Sequence, residues 1–391
     1  MSARTAGWAP PRALTKTLTG IAVAGAVTLV AGLFVSPHRA WGNLLLAGYA
    51  VLGLALGGVF FVALQHVTKA GWSTALRRVP EAMSAALPIA AALLALVAIG
   101  GSHIYEWTHH ETVAGDAILR AKQGWLDLPF FVGRAAVCFG LWLLFAWRLS
   151  ANSRAQDGDG DPGRTASNVR LSAVFLLLFA PTFSVATFDW VMSLEPHWFS
   201  TIFAVYSFAG LFTSSLAAIT VVCIVLRRLG ALHGIVTEEH LHDLGKLLFG
   251  FCTFWAYIWF SQYMLIWYSN IPEETAYFVG RTSGGWLPLS IVNVVANWAL
   301  PFLLLLPRAA KRNEKMLLRV SFLVLAGHWL DLYLMIMKPI LGEAPALGPL
   351  EVLPLAGAIA LGALVFFRAL GRANLVPAGD PTLGESLHHH T

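Results

Sequence analysis

The chain alternates between long apolar stretches and short polar ones along almost its whole length. An α-helix needs roughly 20 apolar residues to cross the hydrocarbon core of a bilayer. Ten stretches of about that length predict ten transmembrane helices, over residues 17–35, 42–66, 82–101, 128–149, 171–190, 200–226, 246–268, 286–307, 317–338 and 348–368. Pro88 and Pro181 lie within two of these spans, where we expect kinks.

The composition agrees with this pattern. The chain has 391 residues, of which 57% are hydrophobic and only 12% are charged, whereas soluble domains carry about 25% charged residues. The sequence is therefore that of a polytopic membrane protein. The net charge of +5 does not indicate a nucleic-acid partner, because the positions of the charges explain it.

Basic residues are distributed unequally between the two sides of the predicted bundle. The side that holds the N-terminus carries 20 lysines and arginines, and Arg134 lies within a span. The other side carries five, namely Arg39, Arg120, Lys122, Arg281 and Lys338. The positive-inside rule then places both termini in the cytoplasm.

The two halves of the chain share several local patterns. Tyr49 and Tyr206 each begin a Gly- and Ala-containing span, and Leu128-Pro129 and Leu287-Pro288 each open a later one. A repeat of four helices predicts an all-α fold of two four-helix bundles, helices 2–5 and 6–9, with helices 1 and 10 flanking them. Chance similarity between Leu-rich segments is the other interpretation. The predicted units are 1–40, 41–196, 197–340 and 341–391.

Two segments have the composition of irregular structure. Residues 150–168 are rich in Gly, Asp, Ser and Arg and predict a flexible connector. The polar segment after Arg372 predicts a tail with little ordered structure. We expect no function for its last three histidines, His388 to His390.

Ionisable residues within a span are costly and are candidates for function. Arg134 and Asp189 fall at similar depths in the fourth and fifth spans, so we expect them to form a buried polar pair. The pair could fix the register of the two helices, or it could bind protons. The sequence leaves both interpretations open.

The second half offers a different set of polar residues. His328 and Asp331 are three residues apart and share one face of the ninth helix. Five further candidates lie in the seventh and eighth spans, namely Gln262, Tyr263, Tyr257, Asn293 and Asn297. Together they predict a chain of titratable and hydrogen-bonding groups that could carry protons. The competing interpretation is a core histidine and a carboxylate that only accepts hydrogen bonds.

Cofactor ligands are sparse. The three cysteines have no spacing typical of iron–sulfur clusters or c-type haem; they are Cys138, Cys223 and Cys252. His66, His103 and His328 fall at different depths, which disfavours a haem b between them. We therefore expect no metal and no haem bound by this chain.

The seventh span is the most distinctive part of the sequence. Residues 249–274 read FGFCTFWAYIWFSQYMLIWYSNIPEE, with hydroxyl and amide groups where a simple anchor would have aliphatic side chains. Such groups need partners in hydrocarbon, so this helix should face other helices or a wet cavity. Its aromatic residues could pack the bundle, or they could hold a quinone head group.

The string from Phe254 to Thr275 and the Leu-Pro start of the eighth helix resemble the NrfD/polysulfide-reductase-C class of membrane subunits. More narrowly, the chain is similar to the second, F-type, subunit of alternative complex III, a bacterial quinol:cytochrome c oxidoreductase. The resemblance spans roughly residues 40–370, and the seventh span is its specific part.

This resemblance implies a subunit of a respiratory complex without redox centres of its own. It implies as partners a quinol-binding C-type subunit, a multihaem cytochrome c, an iron–sulfur subunit, small membrane anchors and, in many members, a haem-copper oxidase. Haem and iron–sulfur clusters would then belong to the partners. The implied contribution of this chain is a proton half-channel and subunit contacts.

Three other roles compete with this one. The chain could bind quinone itself, although the first bundle has no mid-helix histidine beside Arg134 and Asp189 to take up the protons of quinol oxidation. It could be an ion-coupled secondary transporter, a class that typically has broken helices in inverted repeats. It could also be a scaffold that only seals the complex.

Overall fold

The computed structural model describes residues 8–390; Arg4, counted above among the basic residues, lies outside them. Within this part of the chain every regular element is helical and none is a strand. Ten helices are long and apolar enough to span a membrane. They are α1 Arg12–Val35, α2 Pro37–Val67, α3 Arg78–Ile99, α4 Leu128–Asp159, α5 Pro162–Leu194, α6 Phe203–Arg228, α7 Glu238–Ser269, α8 Trp286–Leu305, α9 Glu314–Leu341 and α10 Pro349–Leu370.

The ten spans confirm the predicted all-α integral membrane fold. Because their number is even, both ends of the bundle lie on one face, called here the termini face. Proline acts in two ways: Pro181 stays inside α5, whereas Pro88 follows a short 3₁₀ turn, Ser84–Ala86, that interrupts α3. Pro fits the first turn of a helix without losing a hydrogen bond, which is why α3 resumes at that point.

The prediction of a flexible connector between α4 and α5 is wrong. Helix α4 continues to Asp159, and α5 begins at Pro162, so only two residues turn the chain. Gly160 adopts a left-handed conformation (φ 62°) that ends α4. The carboxylate of Asp161 caps α5 by accepting a hydrogen bond from the Gly163 N–H. The composition predicted mobility, but Gly160 ends one helix and Asp161 caps the next.

The spans form two rings of four helices. In the first ring α2 contacts α3, α3 contacts α4, α4 contacts α5 and α5 returns to α2. In the second ring α6, α7, α8 and α9 contact one another in the same order. The rings join where α2 meets α6 and α9, and α1 and α10 pack together outside them against α2. The shared neighbour order is what a duplicated four-helix unit would give.

Helices α2 and α6 form the centre of the molecule. In the most apolar 18-residue stretch of each helix, 83% of the residues of α2 and 78% of those of α6 are buried, against 11% in α1. Small residues allow this closeness, because membrane helices gain stability from van der Waals contact and not from hydrophobic exclusion. A Cβ atom on Gly57 would overlap Ser215 of α6, whose hydroxyl donates to the Gly53 carbonyl at 3.2 Å.

The expectation of a loose C-terminal tail is also wrong. Residues after α10 fold back over the termini face and end in a short helix, Leu383–Leu387. Asp380 forms a buried ion pair with Arg77, and the Ser386 hydroxyl accepts a hydrogen bond from the Ala75 N–H at 3.0 Å. His389 contacts the Asp243 carboxylate at 2.6 Å. Arg77, which is 4% exposed, needs a counter-ion in this position, and the tail supplies it.

We expect Asp380→Asn to release the C-terminal segment, because Arg77 would then retain only Glu81, 3.6 Å away. Limited proteolysis with mass spectrometry should show rapid cleavage after residue 372 in this variant. Glu385→Gln is the control, because Glu385 is exposed and forms no ion pair among the described residues. Equal protection of the Asp380→Asn tail and the parent tail would contradict the expectation.

The same ion pair sets a pH range. Burial alone would raise the pKa of Asp380, but Arg77 and the hydrogen bonds from Thr382 outweigh burial and hold the pKa below its ordinary value of 3.8. The stability that the pair contributes is therefore present above 3.8 and is lost only as the pH falls through the lower folded-state value. Protection of the tail should accordingly persist at pH 5.

Candidate functional site

A carboxylate lies at the centre of the second ring, where each of the four helices contributes one group. Asp331 of α9 is 1% exposed. Its Oδ1 accepts hydrogen bonds from the Tyr206 hydroxyl of α6 and, at 2.9 Å, from Nδ2 of Asn293 on α8. Its Oδ2 accepts a hydrogen bond from Nε1 of Trp255 on α7 at 3.0 Å. All three donors are neutral.

The helical period brings these groups together. Trp255 and Gln262 of α7 are seven residues apart and therefore face the same side of the helix. Both are buried, at about 1% exposure, and both point into the ring. On α8, Asn293 is one turn from Asn297, whose amide donates to the Asn293 side-chain oxygen at 2.7 Å. The asparagine pair thus orients the amide that meets Asp331.

His328 lies beside the carboxylate without a hydrogen bond to it. Its Nδ1 is 4.0 Å from Oδ2 of Asp331 and has no hydrogen-bond partner among the described residues. Gly210 of α6 makes room for the ring, because a Cβ atom there would lie 2.8 Å from His328 Cε1. His328 is the only basic side chain of residues 8–390 whose nitrogen comes within 4.0 Å of Asp331. The carboxyl group can therefore gain or lose a proton without breaking an ion pair with lysine or arginine.

A local irregularity positions the second asparagine. Residues Val295–Ala299 form a π-helical turn inside α8, directly before Pro301. Proline donates no backbone hydrogen bond and its ring crowds the carbonyl four residues earlier, which here belongs to Asn297. The widened turn relieves that crowding, and π-helical turns are frequent at functional sites. Asn297 is 2% exposed and packs against Gly327.

A small cavity lies on the side of Asp331 away from the termini, and Asp331 itself is not among the residues that line it. Its volume is about 20 Å³, which is enough for a water molecule. Tyr206 borders it and also binds Asp331, so this hydroxyl connects the carboxylate to the cavity. Gln262 lines the opposite wall; its Nε2 donates to the Ser200 hydroxyl at 3.2 Å, and its Oε1 has no partner among the described residues.

The cavity ends at a buried arginine near the surface. Arg281 donates to the Glu195 carboxylate at 2.6 Å and to the Tyr277 carbonyl at 3.0 Å. Its guanidinium lies 3.5 Å from the centre of the Tyr277 ring. Burial raises the pKa of Tyr277, so that phenol stays neutral. Because the Glu195 side chain is 28% exposed, the polar groups run from Asp331 to the face opposite the termini.

Along α9, no comparable row of polar side chains leads from Asp331 towards the termini face. Between His328 and the termini face, the buried residues of α9 include Val324, Val320 and Leu317, each with no exposed surface. Ser321 is the polar exception among them. Along α9, the polar groups on the side of Asp331 away from the termini therefore have few counterparts on the side that faces the termini.

The predicted pair in the first ring has a different geometry. Arg134 donates two hydrogen bonds to Asp189, from Nε at 2.6 Å and from Nη2 at 2.9 Å. Its guanidinium lies 4.2 Å from the ring centres of both Trp125 and Phe130. The Trp125 Nε1 also donates to Asp189, at 2.9 Å. A carboxylate neutralised this way cannot be protonated without breaking the pair, which favours the structural interpretation.

Tyr49 is the counterpart of Tyr206 in the first ring, and its hydroxyl contacts no carboxylate among the described residues. The Tyr49 hydroxyl meets the hydroxyl of Thr187 at 2.9 Å. The two rings thus share a buried tyrosine that contacts the fourth helix of the ring, but only the second ring presents an acid to it. Of the two tyrosines, only Tyr206 therefore contacts a buried carboxylate, and that carboxylate has no arginine partner among the described residues.

Two predicted residues do not join the site. Tyr257 is 64% exposed and points outward, because it is two residues, about 200°, around the helix from Trp255. Tyr263 is half-buried; its ring stacks on Trp259, with 5.8 Å between ring centres, and meets Phe278 edge-on at 5.2 Å. Its place is beside the cavity wall and not next to Asp331.

Sequence reasoning missed three participants. Tyr206 stood out only as part of a repeat, and Trp255 only as one of many aromatic residues. Arg281 was counted as a loop charge. A sequence signal existed for Trp255, because its spacing of seven from Gln262 places both on one helix face. Nothing local pointed to Tyr206, whose partner is 125 residues away.

Comparison of the chain with protein-family models finds no match, and comparison with curated proteins finds none either.

Proposed function

We propose that this chain is a membrane subunit of a respiratory quinol:electron-acceptor oxidoreductase and that it contributes a proton half-channel centred on Asp331. The observation that carries the proposal is a buried carboxyl group held only by neutral donors, with a water-sized cavity on one side. Membrane-embedded acids of this kind mark proton relays. The sequence resemblance to alternative complex III supplies the class of complex.

The direction of the half-channel follows from the charge asymmetry. With the basic termini face in the cytoplasm, Glu195 and Arg281 lie on the periplasmic side of the bacterial inner membrane. Asp331 would then exchange protons with the periplasm through Tyr206 and the cavity beside Gln262. Quinol oxidation releases protons, so a route that ends on this side suits their release.

Redox chemistry and quinol binding would reside in partner subunits, as in the complexes that the sequence resembles. These are a quinol-binding C-type subunit, a multihaem cytochrome c, an iron–sulfur subunit and small membrane anchors. The exposed aromatic face of α7, which includes Tyr257, Trp267 and Tyr268, offers a large apolar surface for membrane contacts with such neighbours or with lipid.

Affinity purification of the chain from its native membrane tests the assignment to a complex. We expect it to co-migrate with haem absorbance and with quinol-oxidising activity. A chain that purifies alone, with no haem-bearing partner under several mild detergents, would contradict the respiratory assignment and would favour a transporter.

Two conservative variants test the route itself. Tyr206→Phe and Trp255→Phe each remove one neutral donor to Asp331, but only Tyr206 borders the cavity. We expect Tyr206→Phe to slow proton release about tenfold, which is less than the 10²- to 10⁴-fold contributed by an acid–base group itself. Trp255→Phe should have a much smaller effect. The measurement is proton release by the complex in liposomes, and equal effects of both variants would remove Tyr206 from the route.

A further inference from the structure

A second cavity lies on the termini face, far from Asp331. Its volume is about 300 Å³, and it opens between the end of α2, the start of α5 and the C-terminal segment. Its walls include the side chains of Gln65, His66, Lys69, Thr74, Arg77, Thr165 and Thr382. No aspartate or glutamate is among its lining residues. The wall offers donors from the Lys69 ammonium, the Thr165 hydroxyl and the Gln65 amide, whereas the Gln65 oxygen and one nitrogen of a neutral His66 ring are acceptors.

Three buried polar atoms in this wall have no partner among the described residues. They are Oε1 of Gln65, Nε2 of His66 and Nε of Arg77, the last of which lies 3.6 Å from the Glu81 carboxylate, beyond hydrogen-bond distance. Each of the three side chains belongs to a residue that is at most 7% exposed. Buried polar atoms without a hydrogen bond cost about 1–3 kcal/mol each, and native proteins seldom leave several together. An oxyanion in the cavity can accept from donors such as a protonated Nε2 of His66, whereas the acceptor Oε1 of Gln65 needs a water molecule.

The charges around the cavity indicate the sign of that ligand. Arg77 is already paired with Asp380. Although Asp380 is buried, its pKa is lowered, so the carboxylate stays ionised. Lys69 is different: it is exposed at the cavity mouth and forms no ion pair among the described residues. Its backbone is left-handed, with φ 50°, which fixes the turn that carries the ammonium group beside the opening. The free charge at the cavity is therefore positive.

The C-terminal segment completes the wall. Pro381 and Thr382 line the cavity, and the Thr382 hydroxyl meets the Thr74 hydroxyl at 2.8 Å. On the facing side Thr165 accepts a hydrogen bond from Gln156 at 2.8 Å, which leaves its own hydroxyl hydrogen available. Thr382 donates its hydroxyl hydrogen to Asp380, and Thr74 therefore donates to Thr382, so the free hydroxyl donor of the wall is that of Thr165. Together with the Lys69 ammonium and the Nε2-protonated tautomer of His66, it suits the acceptor oxygens of a phosphate group.

We propose that this cavity binds a phosphate-type oxyanion, with Lys69 as its charge partner and His66, Thr165 and Gln65 as hydrogen-bonding groups. The oxyanion could be free phosphate or the head group of an anionic phospholipid, because the cavity lies where α2 ends at the membrane surface. The proposal is independent of the proton route, since no residue is shared between the two sites.

The test uses the purified full-length chain and two variants. Lys69→Gln removes the charge at the mouth, and Lys315→Gln removes a matched charge, because Lys315 is also exposed on the termini face and forms no ion pair among the described residues. One arm measures binding of radiolabelled inorganic phosphate by equilibrium dialysis at constant ionic strength. The other compares retention of phosphatidylglycerol and phosphatidylcholine by native mass spectrometry.

Saturable phosphate binding that Lys69→Gln weakens about tenfold and Lys315→Gln leaves unchanged would support a free oxyanion. Selective retention of phosphatidylglycerol, lost in Lys69→Gln only and without phosphate binding, would support a lipid head group. Absence of both signals overturns the proposal, and so does an equal loss in the two variants. Because both lysines are exposed, neither variant should impair folding.

Discussion

Substitution of Asp331 by asparagine is expected to lower proton release by the assembled complex about 100-fold. The change keeps the size of the side chain and its hydrogen-bond acceptor but removes the group that gains and loses a proton. A positioned acid–base group contributes 10²- to 10⁴-fold to proton transfer. Assembly should be intact, because Tyr206 and Asn293 can still donate to an amide oxygen at the Oδ1 position, and only the Trp255 N–H loses its acceptor at Oδ2.

Proton release coupled to quinol oxidation in liposomes is the measurement, with the haem content of the purified complex as the check on assembly. Glu314→Gln is the matched control, because Glu314 lies at the start of the same helix, α9, and pairs with Arg228 at the surface. Normal proton release and turnover in Asp331→Asn would remove this residue from the mechanism. A deficit of the same size in Glu314→Gln would show that the effect is not specific to the buried site.

Loss of Arg134 alone is expected to be the most destabilising single change in the first ring. Arg134→Met would leave Asp189, which is 2% exposed, as a buried carboxylate with only the Trp125 donor. Breaking a buried ion pair by removing one partner costs about 3–5 kcal/mol. We expect a marked fall in yield and in the thermal unfolding midpoint, measured by tryptophan fluorescence in detergent.

The double variant Arg134→Met/Asp189→Leu distinguishes a structural pair from a functional one. Removing both charges avoids the isolated carboxylate, and apolar replacement of a buried pair is often neutral. We therefore expect much of the lost stability to return, together with normal proton release. Restored stability with abolished proton release would instead show that the pair takes part in proton transfer.

The helices and their number could be predicted from the sequence because hydrocarbon admits one solution. Every backbone group in a span must be hydrogen-bonded within the helix, so length and hydropathy suffice. The Arg134–Asp189 pair and the contact of Asn293 with Asp331 followed for a related reason, since buried polar groups at one depth find one another. The termini of helices were less predictable, as Asp159 and Pro162 show.

The parts that could not be predicted depend on contacts between distant segments. The order of the C-terminal segment comes from Asp380 meeting Arg77, 303 residues earlier. The polar groups between Asp331 and the surface include Tyr206 and Arg281, which neither local composition nor spacing connects to Asp331. Tyr257 was assigned to the route because it is polar, but its position on the helix turns it outward.

The sequence by itself determined a ten-span membrane protein, the side of its basic loops and the few polar side chains that hydrocarbon makes costly. The tertiary structure alone decided which of those side chains meet, that Asp331 has no arginine while Asp189 has one, and on which side a cavity opens. The physical reason is that crossing a bilayer is a property of each segment separately, whereas hydrogen-bond partners and cavities arise only where four helices pack.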